Sequence, residues 1–212
     1  MLDKVNTPIL CDQVPRMGNK FSQWLGTTVL KLMGWRYDGT FPCCSKMIIA
    51  VAPHTSNWDF VLGLAVAFNL RLKISFFGKH SIFIPPFGKL LQRIGGIPIE
   101  RSNNHGVVDT MADRMREADK MVLCLAPEGT RSPISPWKTG FLHIAHKANV
   151  PVFLVAFNYK KKLIEFGPMH NISDNTQHEL DRIYLHFNKA QGKYPEKTIT
   201  QVVPPVEMDI EK

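Results

Sequence analysis

The sequence predicts an α/β fold, a single-domain sandwich with a largely parallel central sheet flanked by helices and preceded by an N-terminal amphipathic helix. Three observations predict it. Short apolar runs with β-branched residues alternate with longer stretches of helical apolar spacing. The first such run, Met47-Ile48-Ile49-Ala50-Val51-Ala52, carries no charge and reads as a buried strand. No repeat, low-complexity tract or Gly/Ser linker divides the 212 residues, a length that suits one domain with a substantial core.

The elements follow in order. Residues 19–35 place Phe21, Trp24, Leu25, Val29, Leu32 and Trp35 on one helical stripe, with Lys20, Gln23, Thr27 and Lys31 on the other side. Such a helix either lies in a membrane interface or packs its stripe on the core, and the sequence leaves both open. Strands are expected at residues 47–52, 74–77, 97–99, 121–125, 152–157 and 163–166. Helices are expected at 57–70, 86–94, 107–118, 139–149 and 175–190.

Composition narrows the classes of function. Hydrophobic residues at 44% and charged residues at 21% are ordinary for a folded domain, which argues against disorder. A formal net charge of +8 calls for an anionic partner. Nucleic acid is the weaker choice, because no zinc-finger or RNA-recognition signature occurs and aromatics do not interleave with the basic residues. Cys11, Cys43, Cys44 and Cys124 include no Cys-x-x-Cys pair, so a reducing compartment is expected, without a disulfide framework or zinc site. Residues 1–20 carry charges and two prolines with no apolar core, unlike a signal peptide. The longest apolar run, residues 60–68, is far short of the ~18–20 needed to cross a bilayer, so no membrane span is expected.

The most informative stretch is Pro53-His54-Thr55-Ser56-Asn57-Trp58-Asp59, directly after the first buried run. It sits where a strand ends and a helix begins, a usual ligand position in open α/β sheets. Five helical steps would leave the His54 and Asp59 side chains about 140° apart. They converge only if His54 lies in the loop and Asp59 in the first helical turn. Ser56 as N-cap fits that placement. The same residues also fit a capping box in which Asp59 merely accepts a backbone N–H. Two further clusters end strands. Ala126-Pro127-Glu128-Gly129-Thr130-Arg131-Ser132-Pro133 forces a sharp turn crowded with polar groups, and Gly95-Gly96-Ile97-Pro98-Ile99-Glu100-Arg101 ends in a charged pair. An arginine in such a turn can fork onto phosphate, or it can pair with its own glutamate on the surface.

Taken together and in order, these blocks resemble the glycerolipid acyltransferase superfamily typified by 1-acylglycerol-3-phosphate acyltransferases. His54, Ser56 and Asp59 match its His/Asp block, and Gly96 to Arg101 match its Gly-x-Ile-x-Ile-x-Arg block. Pro127 to Ser132 match Pro-Glu-Gly-Thr-Arg-Ser, and Val150-Pro151-Val152 match the start of its last block. The resemblance spans residues 35–167. Departures fall at Pro53, Pro98, Glu100, Ala126 and Leu154, and Lys79 is followed by His80-Ser81 where the family has Glu-Leu. None removes a proposed catalytic group, but the altered aromatic positions bear on which acceptor is used.

The resemblance implies an O-acyltransferase that moves a fatty acyl group from an acyl thioester to a lysophosphatidic acid-like glycerolipid. The donor is acyl-CoA or acyl carrier protein, with no further cofactor and no metal. His54 is the expected general base, assisted by Asp59, with no covalent intermediate. Lys79, Arg101, Glu128, Gly129, Thr130 and Arg131 are expected to bind substrate. Residues 1–36 would form the N-terminal segment, 37–190 the acyltransferase domain and 191–212 a polar tail, extended at an edge or loosely ordered. The expected setting is cytoplasmic and peripheral at a membrane surface, with no nucleic-acid partner. The alternatives are another acceptor (another lysophospholipid, glycerol 3-phosphate or a lyso-aminolipid), a thioesterase, or a non-catalytic phospholipid-binding member. A serine hydrolase is disfavoured by the absence of Gly-x-Ser-x-Gly, and Walker and dinucleotide fingerprints are absent too. His143 and His146 are read as a solvated face rather than metal ligands, and Lys160-Lys161-Lys162 as a solvated charge run or a contact to acidic headgroups.

Overall fold

The structure is a computed structural model that describes residues 5–86, 88–99, 104–132 and 136–198. Its elements are α1 (Lys20–Met33), β1 (Arg36–Asp38), β2 (Lys46–Ala52), α2 (Asn57–Leu70), β3 (Ser75–Lys79), α3 (Gly88–Arg93), β4 (Gly96–Ile99), α4 (Asn104–Glu117), β5 (Met121–Leu125), α5 (Gly140–Ala148), β6 (Val152–Asn158), β7 (Leu163–His170) and α6 (Thr176–Phe187). Seven strands form one sheet in the order β1-β7-β6-β2-β5-β3-β4. Every pairing is parallel except β6 with β7.

Central β2 and β6 owe their place to composition. Every residue of β6 is buried, and so are all of β2 except Lys46 and Val51, as a strand covered on both faces requires. One face packs against α1 and α2, through Leu30, Leu62, Val66 and Leu70 over Met47 and Phe153. The other packs against α4, α5 and α6, through Met115, Leu142 and Leu180 over Ile48 and Leu154.

Each expected element is present, with ends shifted by a few residues. One strand, β1, carries no sequence signal. Its three residues, Arg-Tyr-Asp, become a strand because they pair in parallel with Leu163, Ile164 and Glu165 of β7.

The N-terminal helix divides its stripe. Asn19 caps α1 by accepting from the Ser22 amide at 3.0 Å. Leu30 and Gly26 face inward, and Trp35, just past the helix, is fully buried. Gly26 lets the helices touch, since a Cβ there would lie 2.5 Å from the Ala65 carbonyl oxygen. Phe21, Trp24, Leu25 and Leu32 stay exposed.

The cysteine expectation is overturned. Cys11 and Cys43 form a disulfide across 32 residues of sequence. Cys11 stands far from every other cysteine in sequence, and Cys43 is adjacent to Cys44, which stays free, so spacing held no clue to the pairing. The bond ties the segment before α1 to the loop before β2, and loop closure of that length contributes about 3–4 kcal/mol. Among the described residues no helix is long and apolar enough to cross a membrane.

Candidate active site

The site lies where the sheet's connections part. β2 and β5 are adjacent and parallel, yet β2 leads to α2 on one face while β5 leads to α5 on the other. The crevice beyond their C-terminal ends is a topological switch point.

His54 and Asp59 meet there. His54 Nδ1 lies 3.2 Å from Asp59 Oδ2, so Nε2 is the ring nitrogen turned from the carboxylate. Asp59 is 3% exposed, whereas His54 keeps 26% of its side chain open to solvent. The same Asp59 Oδ2 accepts the backbone N–H groups of Thr55 and Ser56, each at 2.8 Å. Ser56 in turn caps α2 by accepting from the Trp58 amide at 3.1 Å. Both sequence readings of Asp59 therefore hold at once: it closes a capping box and it faces the histidine. Its other oxygen, Oδ1, accepts the Tyr159 hydroxyl at 2.6 Å.

The turn after β5 divides its residues. Glu128 is buried, and its Oε1 accepts the backbone N–H of His54 at 2.9 Å, while Oε2 has no partner among the described residues. Burial pushes the Glu128 carboxyl up to about 7, against the lowering effect of the His54 amide and ring. Gly129 turns the chain at φ +63° and lines the cavity described below. Thr130 Oγ1 accepts from the Ser132 amide at 3.3 Å. Arg131 points outward and donates to Asn57 Oδ1 at the first turn of α2. Lys79 ends β3 exposed and is not part of the cavity lining. Arg101 lies outside the described residues.

His54 and Asp59 open onto a cavity of about 810 Å³. The sheet makes room for it, because β3 and β5 pair only at Ser75–Leu123 and Phe76–Cys124. Ile49, Val66 and Ile74 line it on one face of the sheet, and Trp137, Phe141 and Ile144 on the other. Cys124 also lines it, but burial pushes that thiol up to about 12, so it stays protonated and is a poor nucleophile. Lys138, which sequence reasoning passed over, lines the mouth beside Gly129. Exposed His143 lies there too, 3.4 Å from Thr139 Oγ1. His146 instead pairs with Asp174 at 2.9 Å. No group of three or more potential metal ligands gathers among the described residues.

Sequence reasoning also missed Tyr159. Its signal was positional, since it directly follows β6 at the C-terminal end of the strand next to β2. Residues 191–198 close over the same loop. The Gln191 carbonyl accepts the Tyr159 amide at 2.8 Å, Thr55 Oγ1 accepts the Tyr194 amide at 3.2 Å, and Lys193 lies 4.5 Å from the Trp58 ring centre.

An open, mostly parallel sheet with a histidine–carboxylate pair at its switch point, above an apolar cavity, defines a class of α/β proteins that place their ligand site beyond the strand ends. Within that class the chain belongs to the Acyltransferase family, whose model matches residues 38–158. It is 31% identical over 144 residues to a 1-acyl-sn-glycerol-3-phosphate acyltransferase of Haemophilus influenzae, covering 63% of this chain and 58% of that protein. It is 30% identical over 130 residues to the protein of that name from Escherichia coli, covering 58% and 51%. The Limnanthes alba protein of that name is 30% identical over 146 residues, covering 65% and 50%. The chain thus spans about half the length of these curated relatives. In fold it is similar to the crystal structure of the 1-acyl-sn-glycerophosphate acyltransferase from Thermotoga maritima. That match has a TM-score of 0.55 at 16% identity and covers 77% of this chain and 75% of the other.

Proposed function

We propose that this protein transfers a fatty acyl group from an acyl thioester to the free hydroxyl of a lysophosphatidic acid-like acceptor. The observation that carries the reading is the His54–Asp59 pair, 3.2 Å apart, at the mouth of a largely apolar cavity of about 810 Å³. The curated relatives named for acylation of 1-acyl-sn-glycerol 3-phosphate support the acceptor class.

The chemistry follows from which nitrogen is free. His54 donates Nδ1–H to Asp59, so Nε2 carries the lone pair. An alcohol is a weak nucleophile until its proton is removed as the new C–O bond forms. Nε2 takes that proton while the hydroxyl oxygen attacks the thioester carbonyl, and buried Asp59 stabilises the imidazolium. The tetrahedral intermediate collapses with cleavage of the C–S bond, and the imidazolium returns its proton to the departing sulfur. The products are an ester and a free thiol, with no acyl-enzyme. General-base assistance of this kind contributes about 10²- to 10⁴-fold.

The acyl chain occupies the cavity, and Lys138 at its mouth, with Arg131 exposed on the adjoining turn beside Asn57, supplies positive charge for phosphate oxygens. The outer face of α1 docks on lipid. Phe21, Trp24, Leu25 and Leu32 form its apolar side, with exposed Lys20, Lys31 and Arg36 nearby. Exposed Trp58, Phe60 and Val61 on neighbouring α2 extend this surface, and Phe60 reaches the cavity.

The deciding experiment measures thiol release from acyl-CoA and from acyl carrier protein thioester. Each is run alone and with lysophosphatidic acid, glycerol 3-phosphate, other lysophospholipids or a lyso-aminolipid. Release dependent on lysophosphatidic acid, with matching ester formation, is expected. Equal release without acceptor would make the protein a thioesterase, and vesicle binding with no release would make it a lipid-binding member.

A further inference from the structure

We infer that Tyr159 is a positioning residue for acyl transfer, acting through Asp59 to set the orientation and basicity of His54. This rests on the general-base reading above. Asp59 presents two oxygens with divided duties: Oδ2 serves the His54 ring and two backbone amides, and Oδ1 serves the Tyr159 hydroxyl at 2.6 Å. The carboxylate is therefore gripped from both sides. Its plane cannot turn to follow the imidazole without giving up the tyrosine.

The tyrosine itself is held by contacts that do not involve its hydroxyl. Its ring meets Trp35 edge-on, with centroids 4.9 Å apart, and Lys162 Nζ lies 5.7 Å from the ring centre. Its amide is anchored on the Gln191 carbonyl. Burial, then the bond to Asp59, raise the Tyr159 phenol well above its ordinary range. It stays a donor at every pH where the enzyme works. A neutral donor on Oδ1 draws charge from the carboxylate, so Asp59 holds the imidazolium proton less tightly. The relay keeps His54 oriented while letting it give its proton to the leaving sulfur.

Removal of the hydroxyl leaves more negative charge facing His54. In Tyr159→Phe the acid limb of the kcat/KM profile is expected to move to higher pH by roughly half a unit to one unit. The kcat is expected to fall about tenfold, as loss of one charge-assisted hydrogen bond implies, with both KM values within about twofold. The melting temperature should fall by only a few degrees, because the hydroxyl bond is lost while the ring contacts remain. Among the described residues the other groups facing the pair are Glu128 from the β5–α5 turn and Tyr194 from the segment over the loop, with Lys162 and Lys193 on the neighbouring rings. The profile is therefore measured also in a Glu128→Gln background, so that Glu128 cannot supply the limb. A Tyr159→Phe enzyme with unchanged limb and kcat overturns the inference, and so does one whose sole defect is a lower melting temperature. A His54→Ala protein that keeps its activity overturns the underlying reading instead, so the two failures are distinguishable.

Discussion

The turns after β2 and β5 leave adjacent parallel strands and both end in a charged motif, yet they direct their polar groups in opposite ways. The β2–α2 turn makes its defining contacts locally: Ser56 and Asp59 cap the helix and Asp59 pairs with His54 within six residues, while Tyr159 meets the other Asp59 oxygen from outside. The β5–α5 turn does its work on its neighbour. Glu128 reaches across to the His54 amide, and Arg131 reaches to Asn57 at the start of α2. The comparison teaches that one turn presents the proposed general base and the other braces it. Two motifs that look alike in sequence, each a charged cluster at a strand end, separate only when their partners are known.

The largest effect that tests this division falls on the presenting turn. His54→Ala removes the free Nε2 and should lower kcat by about 10²- to 10⁴-fold in a protein that folds normally. Steady-state thiol release checks it, and near wild-type turnover would remove the base from the reading. Next comes Asp59→Asn. The amide can still accept from Thr55 and Ser56 and meet Tyr159, so stability should fall by only about 1–2 kcal/mol. Turnover should fall about 10²-fold or more, because the charge that stabilises the imidazolium is gone. If stability and turnover declined in proportion, Asp59 would be a cap and nothing more.

The bracing turn should show itself in stability. Burial holds the Glu128 proton more tightly in the folded chain than in an unfolded one, where the carboxyl titrates near 4.5. The group therefore stabilises the fold fully below pH 4.5, and that contribution is lost as pH rises through about 7. Over this window the loss amounts to about 3 kcal/mol. Glu128→Gln keeps an acceptor for the His54 amide and does not ionise. The difference in urea unfolding free energy between wild type and Glu128→Gln should shift in favour of the variant between pH 5 and 7.5. Using the difference cancels His170 and His186, which burial shifts downward and which act in the opposite sense. A pH-independent difference would show that Glu128 does not carry the titration.

Much of this was legible from residues alone, and the exceptions share a cause. Met47 to Ala52 announced a doubly covered strand, and Ser56 with Asp59 announced a helix start, because both signals are local. The Cys11–Cys43 disulfide, the β1–β7 pairing and the Tyr159–Asp59 bond join residues 32 to 127 positions apart. No spacing rule reaches that far. The partner of Glu128 was not legible, since a glutamate beside an arginine gives no hint that it will turn inward to a backbone amide. The exposure of Phe21, Trp24, Leu25 and Leu32 was equally hidden. It depends on Gly26 letting α1 approach α2 closely, which turns the small side of the helix inward and the aromatic side out.

The smallest effect should come from Arg131, and it sharpens the comparison most finely. Its guanidinium is exposed, and the one partner it has among the described residues is Asn57. If Arg131 only ties the two turns together, Arg131→Ala and Asn57→Ala should each cost less than about 1 kcal/mol of stability and leave both KM values unchanged. If it also meets the acceptor's phosphate, Arg131→Ala should raise the acceptor KM about tenfold while Asn57→Ala does not, since a charge-assisted fork is worth more than a solvated tie. Lys138 serves as the internal control. It lines the cavity mouth against Gly129 and bears one charge without a fork, so Lys138→Ala should raise the same KM by a smaller factor. Measuring KM for acceptor and donor in all three variants decides among the outcomes. A rise confined to the donor would assign these cations to the phosphates of the thioester carrier.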